Sequence, residues 1–233
     1  MEGIKTSRLR REKKELFKPM LKRLREILRE YTHTLPASHG LPNTADIYFH
    51  QTVHTALSAV ESHEALEEVL AEIQPSLAEI VDECLEHLKQ HLANLVLDDY
   101  TENNKPFDLS VLTLASTLFH CTACRRDLTL DQAIVHGCRL SAHYINHLTS
   151  KDIKLVHNKI CEVPTAHKIQ STISFSLARM GPFASVLHSC GIDPNTTTVA
   201  DMNEIDPVIE CLDCSNIDKG RYTMRWLSVV SVG

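Results

Sequence analysis

The fold class is decided by residues 76–97, which read SLAEIVDECLEHLKQHLANLVL. Apolar side chains recur there at intervals of three and four positions, the spacing of one face of an α-helix. Ser76 and Glu79 match the capping-box pattern, in which both side chains bond to the backbone at a helix start. The stretch therefore predicts a helix over residues 77–97. Its apolar face consists of Leu77, Ile80, Val81, Cys84, Leu85, Leu88, Leu92 and Leu95.

Three further helices are predicted on the N-terminal side of this stretch. Apolar residues at helical spacing indicate helices over residues 7–31, about 48–60 and 62–74. Pro19 lies inside the first pattern, and a proline there either kinks a helix or marks its start. The first helix is strongly basic, because residues 1–31 hold eleven Lys or Arg and five Asp or Glu. We expect residues 1–97 to be a helical region that begins with this basic helix.

A polar segment, residues 98–107, separates this region from the second half of the chain, residues 108–233. We interpret the segment as a linker because it contains Asn103, Asn104 and Pro106. The second half is also predicted to be mostly helical, with a few short strands. Its helical patterns cover residues 109–117, 165–180 and 182–190, and its β-branched composition predicts strands at 208–214 and 223–232. The whole chain is therefore predicted to be mainly α.

Composition and charge exclude several classes of protein. The chain contains no apolar run long enough to span a membrane, and its basic N-terminus lacks the apolar core of a secretory signal. We therefore expect an intracellular protein, cytoplasmic or nuclear, whose eight cysteines are metal ligands or buried thiols rather than disulfides. After residue 31 the chain has 25 Asp or Glu against 13 Lys or Arg. This acidic body argues against nucleic acid as a partner, since binding depends on neutralising phosphates.

The functional signal lies in residues 119–138, which read FHCTACRRDLTLDQAIVHGC. Cys121 and Cys124 form a C-x-x-C pair, and a tight turn between two such cysteines can point both sulfurs at one metal ion. His136 and Cys138 follow at a spacing typical of zinc fingers. Three thiolates and one imidazole fill the tetrahedral coordination of zinc, which describes a structural site rather than a catalytic one. The sequence therefore predicts a structural zinc ion held by these four residues.

Thr129 and Gln132 form a capping box, and the helix that they start would carry the His-x-Cys pair at its far end.

Another ligand pair competes with His136 and Cys138 for this assignment. His143 and His147 lie one helical turn apart and offer two imidazoles instead. Their distance from the C-x-x-C pair is longer than usual for a finger of two cysteines and two histidines. We favour the His-x-Cys pair for this reason.

A second C-x-x-C pair lies near the end of the sequence, at Cys211 and Cys214. No His or Cys follows it, so its remaining ligands would have to come from earlier residues such as His188 and Cys190. The sequence leaves open whether this pair is half of a zinc site, part of a complete one, or neither.

No enzyme chemistry is visible in the sequence. His50 and His54 have the spacing of a zinc-protease helix, but Gln51 stands where the general base would be. We expect these two histidines, and the similarly spaced His87 and His91, to be solvated. The sequence also lacks a glycine-rich phosphate loop and the G-x-S-x-G turn of serine hydrolases. We therefore expect a protein that is not an enzyme.

Several short stretches resemble a group of uncharacterised, F-box-type proteins from mushroom-forming fungi. The matching pieces include LREYTHTLP at 28–36, FHCTAC at 119–124, HGC at 136–138, CGIDP at 190–194 and RYTMRW at 221–226. An F-box is a helical motif that docks a ubiquitin-ligase adaptor, and no such pattern precedes residue 20. Members of the group continue past the tryptophan with a histidine-bearing helix, so we expect the C-terminus of this chain to be shortened.

Two functions follow from these observations as hypotheses. The first is a non-enzymatic interaction protein, in which a zinc-stabilised module binds another protein. The alternative is a truncated substrate-recognition subunit of a ubiquitin ligase, and it depends on the resemblance alone. A nucleic-acid-binding zinc protein is the less favoured third hypothesis because the body of the chain is acidic.

Overall fold

The computed structural model describes residues 2–36, 40–136, 173–212, 214–215 and 221–232. In this part of the chain the fold is mainly helical, and short strands occur only after residue 118, which confirms the predicted fold class. The helices are α1 (Glu2–Thr32), α2 (Thr44–Phe49), α3 (Gln51–Ser58), α4 (His63–Ile73), α5 (Leu77–Glu102), α6 (Leu130–Val135), α7 (Leu177–Ser189), α8 (Val199–Ile205) and α9 (Trp226–Val232). The strands are β1 (Phe119–Cys121), β2 (Asp127–Leu128), β3 (Ile173–Phe175), β4 (Val208–Glu210) and β5 (Thr223–Arg225).

The chain divides into two compact units, and the division falls inside α5, between Leu88 and Lys89. Among the described residues, the first unit contains everything up to Leu88 and the second contains everything from Lys89 onward. Independent folding of the two units stays a prediction.

The core of the first unit is formed by the apolar faces of α1 to α5. Met20, Leu24 and Ile27 recur at helical spacing along α1 and are buried, as the periodicity predicts. The ring of Phe17 meets Tyr48 of α2 edge to face, with ring centroids 5.5 Å apart. Helix α1 runs through Pro19, so this proline does not mark the helix start.

Three sequence predictions for this region are wrong. Ser76 is not a helix cap, because Gln74–Ser76 forms a 3-10 turn that leads directly into α5. Helix α5 continues beyond Leu97 to Glu102, so the predicted linker is partly helical. The prediction that His50 is solvated also fails, because its side chain is buried and its Nε2 lies 2.8 Å from a carboxylate oxygen of Glu83.

The second unit contains a three-stranded antiparallel sheet in the order β2-β1-β3 and a separate β4–β5 hairpin. The end of α5 is tied into this unit. Asp99 accepts a hydrogen bond of 2.9 Å from the Leu177 N–H at the start of α7. Tyr100 packs against Phe107 and Phe175, with ring centroids 5.8 and 6.3 Å away. These contacts explain why the helix extends into a segment whose composition predicts a loop.

A small apolar core holds the rest of the second unit together. Phe183 and Leu187 of α7, Met202 of α8 and Trp226 of α9 are buried against one another. Helix α7 ends at Ser189, and Gly191 follows with a φ of +74°, which allows the left-handed turn in which the Ile192 N–H bonds back to the Leu187 carbonyl. The predicted end of this helix is thus confirmed to within one residue.

Two secondary-structure predictions in the second unit are wrong. Strand β3 lies inside the segment 165–180 that was predicted to be helical, because its backbone pairs with β1. The predicted strand over 223–232 changes to helix at Trp226, where burial of the indole outweighs the β-branched composition of the following residues. Neither change affects the fold class.

Candidate metal centre

The first C-x-x-C pair lies in the tight turn of the β1–β2 hairpin. Cys121 ends β1, and its N–H donates a 2.8 Å hydrogen bond to the Arg126 carbonyl. The Arg125 N–H in turn donates a 2.7 Å bond to the Cys121 carbonyl. Arg125 has a φ of +60°, a left-handed conformation that closes the turn. This backbone geometry places Cys121 and Cys124 on the same turn, as the spacing predicts.

His136 reaches the same place from the end of α6. Thr129 and Gln132 form the predicted capping box, since each side chain accepts a hydrogen bond from the other's backbone N–H. The helix is short and His136 follows its last residue as the C-cap. The His136 Nε2 lies 3.3 Å from the Cys124 Sγ. Local signals in the sequence therefore predicted both elements that form the site.

These three side chains form a group that could hold a metal ion. The ligand atoms of Cys121, Cys124 and His136 all lie within 4.8 Å of one another. Sulfur and imidazole ligands at ordinary zinc bond lengths and tetrahedral angles lie about 3.6 Å apart, so the donor set and its spacing fit one ion. The fourth predicted ligand, Cys138, and the competing pair His143 and His147 lie outside the described residues.

The two sulfurs occupy different environments. Cys121 is fully buried, whereas Cys124 is exposed. Burial raises the pKa of the Cys121 thiol above its usual value, and hydrogen bonds from the N–H groups of Ala123 and Cys124 act in the opposite direction. A buried thiolate requires a nearby positive charge, which a metal ion would supply. The same N–H groups would stabilise the thiolate once it is formed.

On the other face of β1, His120 takes part in a different set of contacts. Its Nδ1 lies 2.8 Å from the Asp127 carboxylate, directly across the hairpin. The Arg179 guanidinium of α7 lies 3.7 Å from the same carboxylate oxygen. These contacts tie the hairpin to α7. The sequence analysis missed them, although a hairpin closed by the C-x-x-C turn necessarily places these two residues opposite each other.

Ser174 of β3 completes a serine, histidine and aspartate set by residue type, since it pairs with His120 across the sheet. Its hydroxyl donates to the backbone carbonyl of His120 at 3.4 Å. A nucleophilic serine needs its hydroxyl bonded to the imidazole of the histidine. The contact that Ser174 makes stabilises the sheet instead.

The second C-x-x-C pair does not join a larger group of ligands within the described residues. Cys211 follows β4 directly, and Cys214 lies in the loop of the β4–β5 hairpin. In that described part, the one group of three or more ligand side chains is the group at Cys121. His188 and Cys190, which the sequence suggested as completing ligands, therefore do not form such a group with the second pair.

Comparisons with protein-family models, curated proteins and solved structures found no match for this chain. The resemblance to F-box-type fungal proteins therefore stays a prediction. Within the described residues, no helix combines the length and apolarity needed to cross a membrane. The ligand group at Cys121 is thus the main basis for a functional proposal.

Proposed function

We propose that this chain is a non-enzymatic protein-interaction module stabilised by a structural zinc ion. The observation that carries the proposal is the convergence of Cys121, Cys124 and His136 from two separate elements. A metal bound there would join the hairpin turn to the end of α6. Reduced thiols of this kind are consistent with an intracellular location.

Zinc is the metal that best suits this donor set. Thiolate and imidazole ligands favour zinc over hard cations such as magnesium and calcium. Cys138 would be the fourth ligand, and four protein ligands leave no position for a water or a substrate. The ion would therefore have a structural role in this proposal, and the function would depend on the surface that it stabilises.

Replacing Cys124 with serine should remove one equivalent of zinc from the protein. The substitution deletes one of the thiolates, and structural zinc sites bind weakly when a ligand is lost. Elemental analysis of protein kept reduced throughout purification measures the metal content. Cys190→Ser is the matched control, since Cys190 is an exposed cysteine outside the ligand group. Equal zinc content in the wild type and the Cys124 variant would contradict the proposal.

The surface best suited to a protein partner comprises the β4–β5 hairpin and Ile205, the last residue of α8. Its exposed apolar side chains include Leu212, which is 80% exposed, together with Val208, Ile205 and Tyr222. Ile209 and Met224 pair on the opposite face of the hairpin, and Ile209 packs against the core of the second unit. Several exposed apolar residues on one element favour contact with an apolar surface of another protein.

Replacing Leu212 with aspartate should abolish capture of specific partner proteins without unfolding the chain. A carboxylate at this position would have to be desolvated in an apolar interface, which costs about 3 kcal/mol, equivalent to about a hundredfold in affinity. Leu109→Asp is the matched control, because Leu109 is also exposed, at 63%, but lies in the 3-10 turn Leu109–Thr113 of the same unit. Quantitative proximity labelling in cells compares the two variants with the wild type.

Proteins that are lost only with the Leu212 variant would support the proposed surface. An identical labelling pattern for all three proteins would contradict it. Sedimentation of the purified variants distinguishes loss of a foreign partner from loss of self-association.

A further inference from the structure

The first cysteines of the two C-x-x-C pairs in the second unit make corresponding backbone hydrogen bonds. We propose that Cys211 and Cys214 are the thiolate ligands of a second metal ion, one of the zinc class, which is independent of the ion at Cys121. This inference goes beyond the zinc ion of the proposed function, since it uses cysteines other than Cys121 and Cys124 and a hairpin other than β1–β2. It is carried by the backbone geometry around each pair.

Two backbone hydrogen bonds correspond at the two pairs, although the chain returns after five residues at Cys121 and after eleven at Cys211. At the first site, the Cys121 N–H donates to the carbonyl of Arg126, the residue just before β2, at 2.8 Å. At the second, the Cys211 N–H donates to the Tyr222 carbonyl at 2.9 Å. In each turn the N–H four residues after the first cysteine closes back on its carbonyl, at 2.7 Å in the first turn and at 3.0 Å from Ser215 in the second.

Each first cysteine also lies at the end of its strand, opposite the residue that precedes the partner strand. Cys121 is the last residue of β1, and Cys211 directly follows β4. The pairing of β4 with β5 continues through Cys211 because its N–H bonds to the residue just before β5. In both hairpins the second cysteine directly precedes the residue whose N–H bonds back to the carbonyl of the first cysteine. A turn of this form directs two sulfurs toward one ion.

Side-chain contacts hold the second turn in place. The Tyr222 N–H donates a 2.8 Å hydrogen bond to the Ser215 hydroxyl. The Arg221 Nε donates a 2.9 Å hydrogen bond to the Glu210 carboxylate, across the hairpin beside Cys211. The turn is thus organised before any ion binds, which lowers the ordering cost of binding.

The two sites differ in their exposure to solvent. Cys121 is fully buried, whereas Cys211 is half-buried and Cys214 is exposed. An ion at the second pair would lie closer to solvent, so a chelator would reach it more easily. We therefore expect the second ion to exchange faster than the first.

The first test measures metal content. The reduced wild-type chain loaded with zinc should contain about two equivalents, and the Cys211→Ser, Cys214→Ser double variant about one. The Cys124→Ser variant should lose the other zinc equivalent. The zinc contents of the two variants therefore test the two proposed sites separately. Cys190→Ser is again the control and should keep both ions. Equal zinc content in the wild type and the double variant would overturn the proposal.

The second test uses the wild-type protein, so its outcome does not depend on whether a variant folds. Alkylation of each cysteine by iodoacetamide is followed by peptide mass spectrometry, with zinc added or removed by a chelator. Zinc should strongly slow alkylation of Cys211 and Cys214 and leave that of Cys190 unchanged, since a metal-bound thiolate is a poor nucleophile. Alkylation of the pair at the same rate with and without zinc would overturn the proposal.

Discussion

Replacement of Cys124 by serine is expected to unfold the segment 119–136 while the first unit keeps its structure. The apparent binding energy of structural zinc in isolated finger peptides is on the order of 10 kcal/mol. Whole domains are stable by only about 5–15 kcal/mol, so weakening this site should outweigh most single core substitutions. Besides Cys121, the segment buries only four apolar residues of its own, Phe119, Leu128, Ala133 and Ile134, and depends on the metal to join its two elements.

The contacts of the segment determine how far this unfolding should spread. Strand β1 pairs with β3 at three positions, so loss of the hairpin removes the pairing partner of Ile173–Phe175 as well. Phe175 packs against Tyr100 at the end of α5. Destabilisation should therefore reach β3 and the end of α5, which belong to the second unit. The residues of α5 up to Leu88 belong to the first unit and should stay protected.

Hydrogen exchange on the zinc-loaded wild type and the Cys124 variant measures this effect residue by residue. Loss of protection across 119–136 with protection retained in α1 to α4 is the expected pattern. Uniform loss would show that the chain unfolds as one cooperative unit and that the two units are not separate folding units. Unchanged protection everywhere would show that Cys124 is not a structural ligand.

Much of the candidate site could be predicted from the sequence because its signals are local. The C-x-x-C turn and the capping box of Thr129 and Gln132 each involve residues within four positions of one another. The end of helix α7 at Ser189, one residue before the predicted end, depends on a local signal of the same kind. The spacing of residues within one turn of the chain is sufficient to predict such a turn, helix cap or helix end.

The features that could not be predicted depend on contacts between distant parts of the chain. Strand β3 pairs with a strand 54 residues earlier, and composition alone does not encode such a pairing. The burial of His50 depends on Glu83, which is 33 residues away. The helix at Trp226 replaces a predicted strand because the indole fits the core of the second unit. In each case a tertiary contact overrode a weak local preference.

Replacement of Trp226 by alanine should destabilise the second unit by about 3–5 kcal/mol. The indole is only 1% exposed and is the largest side chain in a core that also contains Phe183, Leu187 and Met202. Its removal loses the burial of a large apolar surface and leaves a cavity that the surrounding helices can fill only in part. Urea unfolding followed by circular dichroism should show this as a midpoint lowered by roughly 1–3 M.

Tyr222→Ala is the matched control for this substitution. Tyr222 is aromatic and lies four residues before Trp226, but it is 54% exposed, so its removal should change stability by less than about 0.5 kcal/mol. Trp226 is the only tryptophan, so wild-type fluorescence reports unfolding of the second unit alone, whereas circular dichroism reports both units. A loss below about 1 kcal/mol for Trp226→Ala would mean that the indole is not part of a well-packed core. Burial of the indole could then no longer explain why a helix forms where the β-branched composition predicts a strand.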